Sequence, residues 1–368
     1  GSEMCIRDRV NRDREKKIID VTFDLKEGPK VFVERINISG NVRTLDSVIR
    51  REFRLIEGDA FNAAKLRRSR QRIQNLGYFG KVEINNLPGS DTDKTVIQLD
   101  LEEQSTGELN LGFGFSTTEG GLLDAGITER NFLGRGQAVG LNLSTTSGTN
   151  NLGLSFTEPA LLSRDLSPNV GSQYRTTTSN NALYDTDEFN LSSTLTFPIS
   201  ENGRLGAKVF NQSELIKNVT TGSSIIQNDA NRPRRTNYGL GYVYSIDNRR
   251  TGLNPKAGTF LNFSQDLALL CYDNFLRSNL RMGAETYVRN DDVRLTAVLE
   301  SGALSFEANK ASRITDRYFM SARTFRGFAP GGLGPRQNGI TGSSIPYNDA
   351  LGGEYYAVAP YETQFPNG

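Results

Sequence analysis

The sequence predicts an α+β module followed by an antiparallel transmembrane β-barrel. The apolar period changes near Gly107 from helical spacing to strict alternation. The alternating runs are roughly ten residues long with turn residues between them, as barrel strands are. The second face of each run is small and polar, as a wet lumen requires. A soluble sandwich has the same period, so alternation alone leaves that alternative open. The chain contains no continuous apolar run long enough for a membrane helix, at a mean hydropathy of −0.47, so only a closed sheet can cross a bilayer. The 37 Gly suit tight turns, and 20 Phe with 13 Tyr suit interfacial girdles even though Trp is absent.

Composition also excludes functions. Histidine is absent, which removes Ser-His-Asp and Cys-His catalysis, histidine metal sites and the commonest general base. A protein that is not an enzyme, with no cofactor, metal or small-molecule substrate, is therefore expected. A net charge of +1 gives no reason to expect nucleic-acid binding. Cys5 and Cys271 form no zinc or redox spacing and predict no disulfide.

In chain order, residues 1–9 read as a non-native leader, because Met4-Cys5-Ile6-Arg7-Asp8-Arg9 resembles a spurious string from sequence assembly. Gly1 to Arg14 lacks the apolar core of a secretory signal, so the natural start of an exported barrel is expected upstream. Residues 10–30 read as the end of an upstream module, with a strand over Lys17–Lys26 and a turn at Glu27-Gly28-Pro29. Residues 31–104 form the soluble module. Val31–Ile38 alternates as a strand, and Gly40-Asn41 turns it. Thr44 is placed to cap a helix with Leu45, Val48, Ile49 and Phe53 on its apolar face. Asn62 is placed to cap a second helix that buries Leu66, Ile73 and Leu76, and Gly77 stops it. Strands follow at Val82–Leu87 and Thr95–Leu101. Lys65, Arg67, Arg68, Arg70 and Arg72 make the second helix basic, either a solvated face or a contact for an acidic partner or anionic headgroups.

From 107 to 368 the sequence predicts an incomplete barrel of about twelve strands. They begin near Glu108, Leu122, Gln137, Asn151, Pro168, Glu188, Gly203, Thr236, Thr259, Phe275, Arg294 and Gly353. In the first, Leu109, Leu111, Phe113 and Phe115 share one face and Asn110, Gly112, Gly114 and Ser116 the other. The stretch 306–349 is far longer than an ordinary loop, polar and glycine-rich, and such loops tend to carry function. The loop over Gly222–Arg235 is polar and expected to face outward.

Several motifs in combination carry a resemblance. Val33-Glu34-Arg35-Ile36, Ser39-Gly40-Asn41, Thr44, Ile49-Arg50-Arg51-Glu52 and Asn75-Leu76-Gly77-Tyr78-Phe79 resemble the last POTRA domain of the BamA family, the outer-membrane protein assembly factors of Gram-negative bacteria. The resemblance continues through Glu129-Arg130-Asn131-Phe132-Leu133-Gly134, Phe156-Thr157-Glu158-Pro159, Asp247-Asn248-Arg249 with Pro255 and Gly258, and Phe325-Arg326-Gly327-Phe328. It implies a barrel closing with sixteen strands in the bacterial outer membrane, the last of them beyond Gly368, and POTRA domains in the periplasm. The chain by itself is then expected to be inactive.

The resemblance further implies the partners: unfolded outer-membrane barrel clients, accessory assembly lipoproteins and outer-membrane lipid. It implies that the motif Phe325, Arg326, Gly327 and Phe328 is carried into the lumen, where Arg326 pairs with Glu362 of the twelfth strand. It also implies that Leu109, Asn110, Leu111, Gly112, Phe113, Gly114 and Phe115 form one side of a lateral seam that templates client strands. Two related functions remain open: a POTRA-bearing secretion pore for a dedicated partner, and a translocation and assembly module.

Overall fold

The computed structural model describes residues 2–13, 18–116, 120–178, 183–200, 202–249, 257–269, 274–288, 293–307, 310–320, 328, 331–340 and 346–365. The chain divides into two compact units, Gly1–Gly107 with Glu129–Gln137, and Glu108–Thr128 with Ala138–Gly368.

In the first unit, β1 (Ser2–Asp13) and β2 (Ile18–Lys30) form a two-stranded antiparallel sheet. In place of the expected turn at Glu27-Gly28-Pro29 the ladder has an irregularity: Glu27 pairs with Met4 and Lys30 with Ser2, and the register shifts across Gly28 and Pro29 between them. The sequence hides this because residues 1–9 have no apolar alternation.

The α+β part contains β3 (Phe32–Ser39), α1 (Asp46–Arg50), α2 (Ala63–Asn75), β4 (Phe79–Pro88) and β5 (Lys94–Glu103), with sheet order β3-β5-β4. The central β5 runs parallel to β3 and antiparallel to β4. A register shift between Val33 and Arg35 brings Val33 and Ile36 to the same buried side despite their spacing of three. They pack with Val48, Ile49, Leu55, Ile73, Val82, Ile97 and Leu99 in one core.

Asn62 caps α2 as expected, its Oδ1 accepting from the amides of Ala64 and Lys65 at 2.9 and 3.0 Å. Gly77 follows the helix at φ +72°, where a side chain is disfavoured. Lys65, Arg67, Arg68 and Arg70 are exposed, whereas Arg72 pairs with Glu52 at 2.7 Å.

Thr44 does not cap α1. The N-cap is Leu45, which makes no side-chain cap, and the helix is only 5 residues long. Phe53 is buried beyond its end and Leu45 is half exposed. Thr44 is instead buried: its amide donates to Glu103 Oε1 at 2.7 Å, and its hydroxyl accepts from Asn131 Nδ2 at 2.9 Å. The segment Glu129–Gln137 therefore belongs to this unit. Asn131 Oδ1 accepts the Gly136 amide at 2.8 Å, Leu45 N donates to Gly134 O at 2.9 Å, and the Tyr78 hydroxyl donates to Arg130 O at 3.0 Å.

The second unit is built on a 13-stranded sheet. It runs β6 (Gly107–Ser116), β7 (Gly120–Phe132), β8 (Gln137–Thr146), β9 (Thr149–Thr157), β10 (Ser167–Thr177), β11 (Asp185–Pro198) and β12 (Gly203–Lys217). It continues with β13 (Arg235–Asp247), β14 (Gly258–Leu269), β15 (Phe275–Val288) and β16 (Val293–Phe306). Between β12 and β13 lies α3 (Ser224–Ala230), and beyond β16 a separate hairpin joins β17 (Arg336–Ile340) and β18 (Pro346–Ala350). The last predicted run is divided into β19 (Tyr355–Val358) and β20 (Tyr361–Gln364), both paired with β16. Pro360 lies at the break and has no amide to give the ladder.

From β8 to β16 each strand pairs antiparallel with the next, and the two ends of the path, β6 and β19 with β20, are not paired with each other among the described residues. One face carries Leu141, Leu143, Leu152, Leu154, Leu191, Val209, Leu240 and Leu267, all exposed. An aqueous protein does not leave so long an apolar surface uncovered, whereas a bilayer covers it.

Candidate functional site

Two places in the second unit bear on function. The first is β6, paired with β7 at one end of the sheet among the described residues. Leu109, Leu111, Phe113 and Phe115 are 68, 62, 82 and 82 % exposed and form one apolar row. On the other face Asn110 Nδ2 donates to Glu108 Oε1 at 3.0 Å. A Cβ at Gly112 or Gly114 would meet its nearest neighbour at 3.6 Å, an ordinary contact. No close approach requires glycine there. What glycine changes is backbone freedom and the loss of cross-strand side-chain contact.

The second place is the long connection after β16. Phe325, Arg326 and Gly327 lie outside the described residues; Phe328 is half exposed. Cys271 and Pro255 also lie outside them. Glu362 stands opposite Thr296 in the pairing of β20 with β16, and cross-strand partners share a face. Glu300, an even number of residues along β16, lies on that face and accepts from Arg281 Nε at 2.8 Å.

At residues 311–318 the connection packs on the same face. Tyr318 OH donates to Asn279 Oδ1 at 2.9 Å, and its ring lies 4.8 Å from that of Tyr356. Gly302 leaves the room, since a Cβ there would overlap the Tyr356 and Tyr318 rings. A charged cluster that the sequence reading missed sits beside it. Arg235, predicted to end an outward polar loop, instead opens β13 fully buried, bonded to Glu214 of β12 and to Asp316 of the connection. The loop 218–234 is itself folded, with Ser223 capping α3, and Thr221 bonds to Asp349. Ile216, Ile226, Ile314 and Leu351 form a small core here. Burial pushes the Arg313 guanidinium down, helped by the neighbouring Arg235 charge. The signal available in the sequence was charge at polar-face positions of strands; the partner, 81 residues away along the chain, was not visible.

Comparison with known proteins identifies the family. The model of the Omp85 superfamily domain matches residues 131–367. The chain belongs to the Omp85 superfamily. A POTRA model, described as a surface antigen variable number repeat, matches residues 31–104. This Omp85 chain is 33 % identical over 205 residues to the outer membrane protein assembly factor BamA of Nitratidesulfovibrio vulgaris, covering 55 % of the chain and 25 % of that relative. It is 26 % identical over 361 residues to BamA of Neorickettsia risticii, covering 95 % and 46 %. The chain thus spans less than half the length of either. The crystal structure of Haemophilus ducreyi BamA lacking POTRA domains 1–3 superposes with TM-score 0.81 at 23 % identity, over 99 % of this chain and 73 % of that one, which shows the shared fold. As an Omp85 protein with these relatives, the chain is an outer-membrane β-barrel protein with its POTRA unit in the periplasm.

Proposed function

We propose that this Omp85 chain works in the insertion and folding of outer-membrane β-barrel proteins, without nucleotide or covalent chemistry. Its POTRA sheet would receive unfolded clients by strand pairing, and β6 would template a client's terminal strand at a lateral seam. The observation that carries the reading is a POTRA unit followed in the chain by an antiparallel sheet with an outward apolar face, opened by a strand whose Gly112 and Gly114 no contact among the described residues demands. A permanent wall strand gains from side-chain packing; a strand that must exchange partners gains from its absence. The names of the curated relatives support the same reading.

Arg326 would reach the polar face and pair with Glu362, since an arginine leaving bulk water needs an anionic partner. Accessory lipoproteins and outer-membrane lipid are the remaining proposed partners, the exposed basic arc of α2 being one surface for them. The deciding experiment depletes the protein in its native cell and quantifies outer-membrane proteins. Loss of several unrelated barrels is expected. Loss of a single exported partner, with other barrels at normal levels, would replace this reading with a dedicated secretion pore.

A further inference from the structure

Arg235 is fully buried, and a buried guanidinium persists only where carboxylates match it. Its Nη1 donates to Asp316 Oδ2 at 2.9 Å and its Nη2 to Asp316 Oδ1 at 2.5 Å, a bidentate pair, while Nη2 also meets Glu214. Arg235 and Glu214 face each other in the register of β13 and β12, so their pair is a feature of the sheet itself. Asp316 comes from the long connection. On the other side Arg277 of β15 donates through Nη2 to the Asp316 carbonyl at 3.3 Å, with the same Nη2 3.6 Å from Oδ1. Within the connection, Asp316 Oδ2 accepts the Arg313 amide at 3.0 Å, and Thr315 Oγ1 donates to Glu214 at 2.9 Å.

The charges decide the direction of dependence. Arg235 and Arg277 are two cations of the sheet, and Glu214 is one anion, so within this cluster the sheet keeps one positive charge that Asp316 neutralises. With Asp316 withdrawn, the buried Arg235 would keep Glu214 but lose its bidentate partner at a dry site, which is costly.

We propose that Arg235 is a positioning residue for the long connection: the barrel wall carries a preformed acceptor for Asp316, and filling it sets the root of the connection without help from Phe325–Phe328. The inference goes beyond the assembly reading and holds whether the protein inserts or exports its clients.

The test is amide hydrogen exchange on the full-length protein folded into lipid nanodiscs. Asp316→Asn and Arg235→Met are compared with Lys208→Met, which breaks the 3.0 Å Lys208–Asp266 pair on the same face without touching the connection. Asp316→Asn leaves every wall residue in place, so it decides the matter if Arg235→Met fails to fold. Exchange at residues 313–318 is expected to accelerate by roughly tenfold or more in Asp316→Asn and Arg235→Met, with the double variant no worse. Strands β8–β10 should keep their protection, and Lys208→Met should leave 313–318 protected. Unchanged protection of 313–318 in Asp316→Asn would overturn the proposal. So would equal loosening by Lys208→Met, or a uniform loss over all strands.

Discussion

At Gly134 the backbone stands at φ +71°, and a Cβ would overlap the Arg43 carbonyl oxygen. Gly134→Ala therefore meets two penalties at once, a disfavoured backbone region and a clash with main chain that cannot rotate away. The expected result is faster amide exchange at Leu45, whose N–H donates to Gly134 O, with β10–β12 unaffected. Thr44 shows why its role was not legible. In sequence a threonine before an apolar-periodic stretch reads as a cap, yet its hydroxyl is taken by Asn131 and its amide by Glu103. Burial alone would raise the Glu103 carboxyl. The Thr44 side chain and the amides of Thr44 and Arg43 outweigh that and hold it below its ordinary value of 4.5. A depressed carboxylate contributes stability above its unfolded value and loses it as pH falls through the folded one. Protection of Thr44 and Leu45 should thus hold at neutral pH and fall as pH drops below about 4.5, and Glu103→Gln should remove most of that pH dependence.

At the scale of elements, α2 was read correctly because its signals are local. Asn62 bonds to amides two and three residues on, and Gly77 takes a left-handed turn that few other residues accept. Asn62→Ala is expected to destabilise the first unit by about 1 kcal/mol. Gly77→Ala should cost about 1–2 kcal/mol from backbone conformation alone, since nothing lies within 4 Å of the added Cβ. Both are measurable by urea titration with exchange at β5 as the readout. The barrel strands were legible for the same reason, each run carrying its own period. Helix α1 was not. Its ending after 5 residues and the burial of Phe53 beyond it follow from packing against the sheet, which overrides a short amphipathic pattern. The β17–β18 hairpin inside the long connection was also missed, because Arg336–Ile340 and Pro346–Ala350 carry little apolar alternation.

For the whole molecule, the assignment of faces makes a sharp prediction on adjacent residues. Leu141 and Asn142 lie side by side near the middle of β8 and point to opposite faces. Leu141→Arg should destabilise the folded barrel in bilayers by about 2–4 kcal/mol, as a charge on the lipid face near the midplane does. Asn142→Arg should cost far less. Equal costs, measured by urea titration in lipid vesicles, would deny that one face meets lipid. The period of two, the turn chemistry, the absence of histidine and the motif combination determined on their own that this chain joins a POTRA module to a membrane barrel, because those signals are carried within a few residues. Only the tertiary structure decided that Glu129–Gln137 is bonded into the POTRA unit and that Arg235 holds Asp316. Each of those facts joins groups far apart along the chain, and no local pattern specifies which buried charge or hydroxyl will meet which.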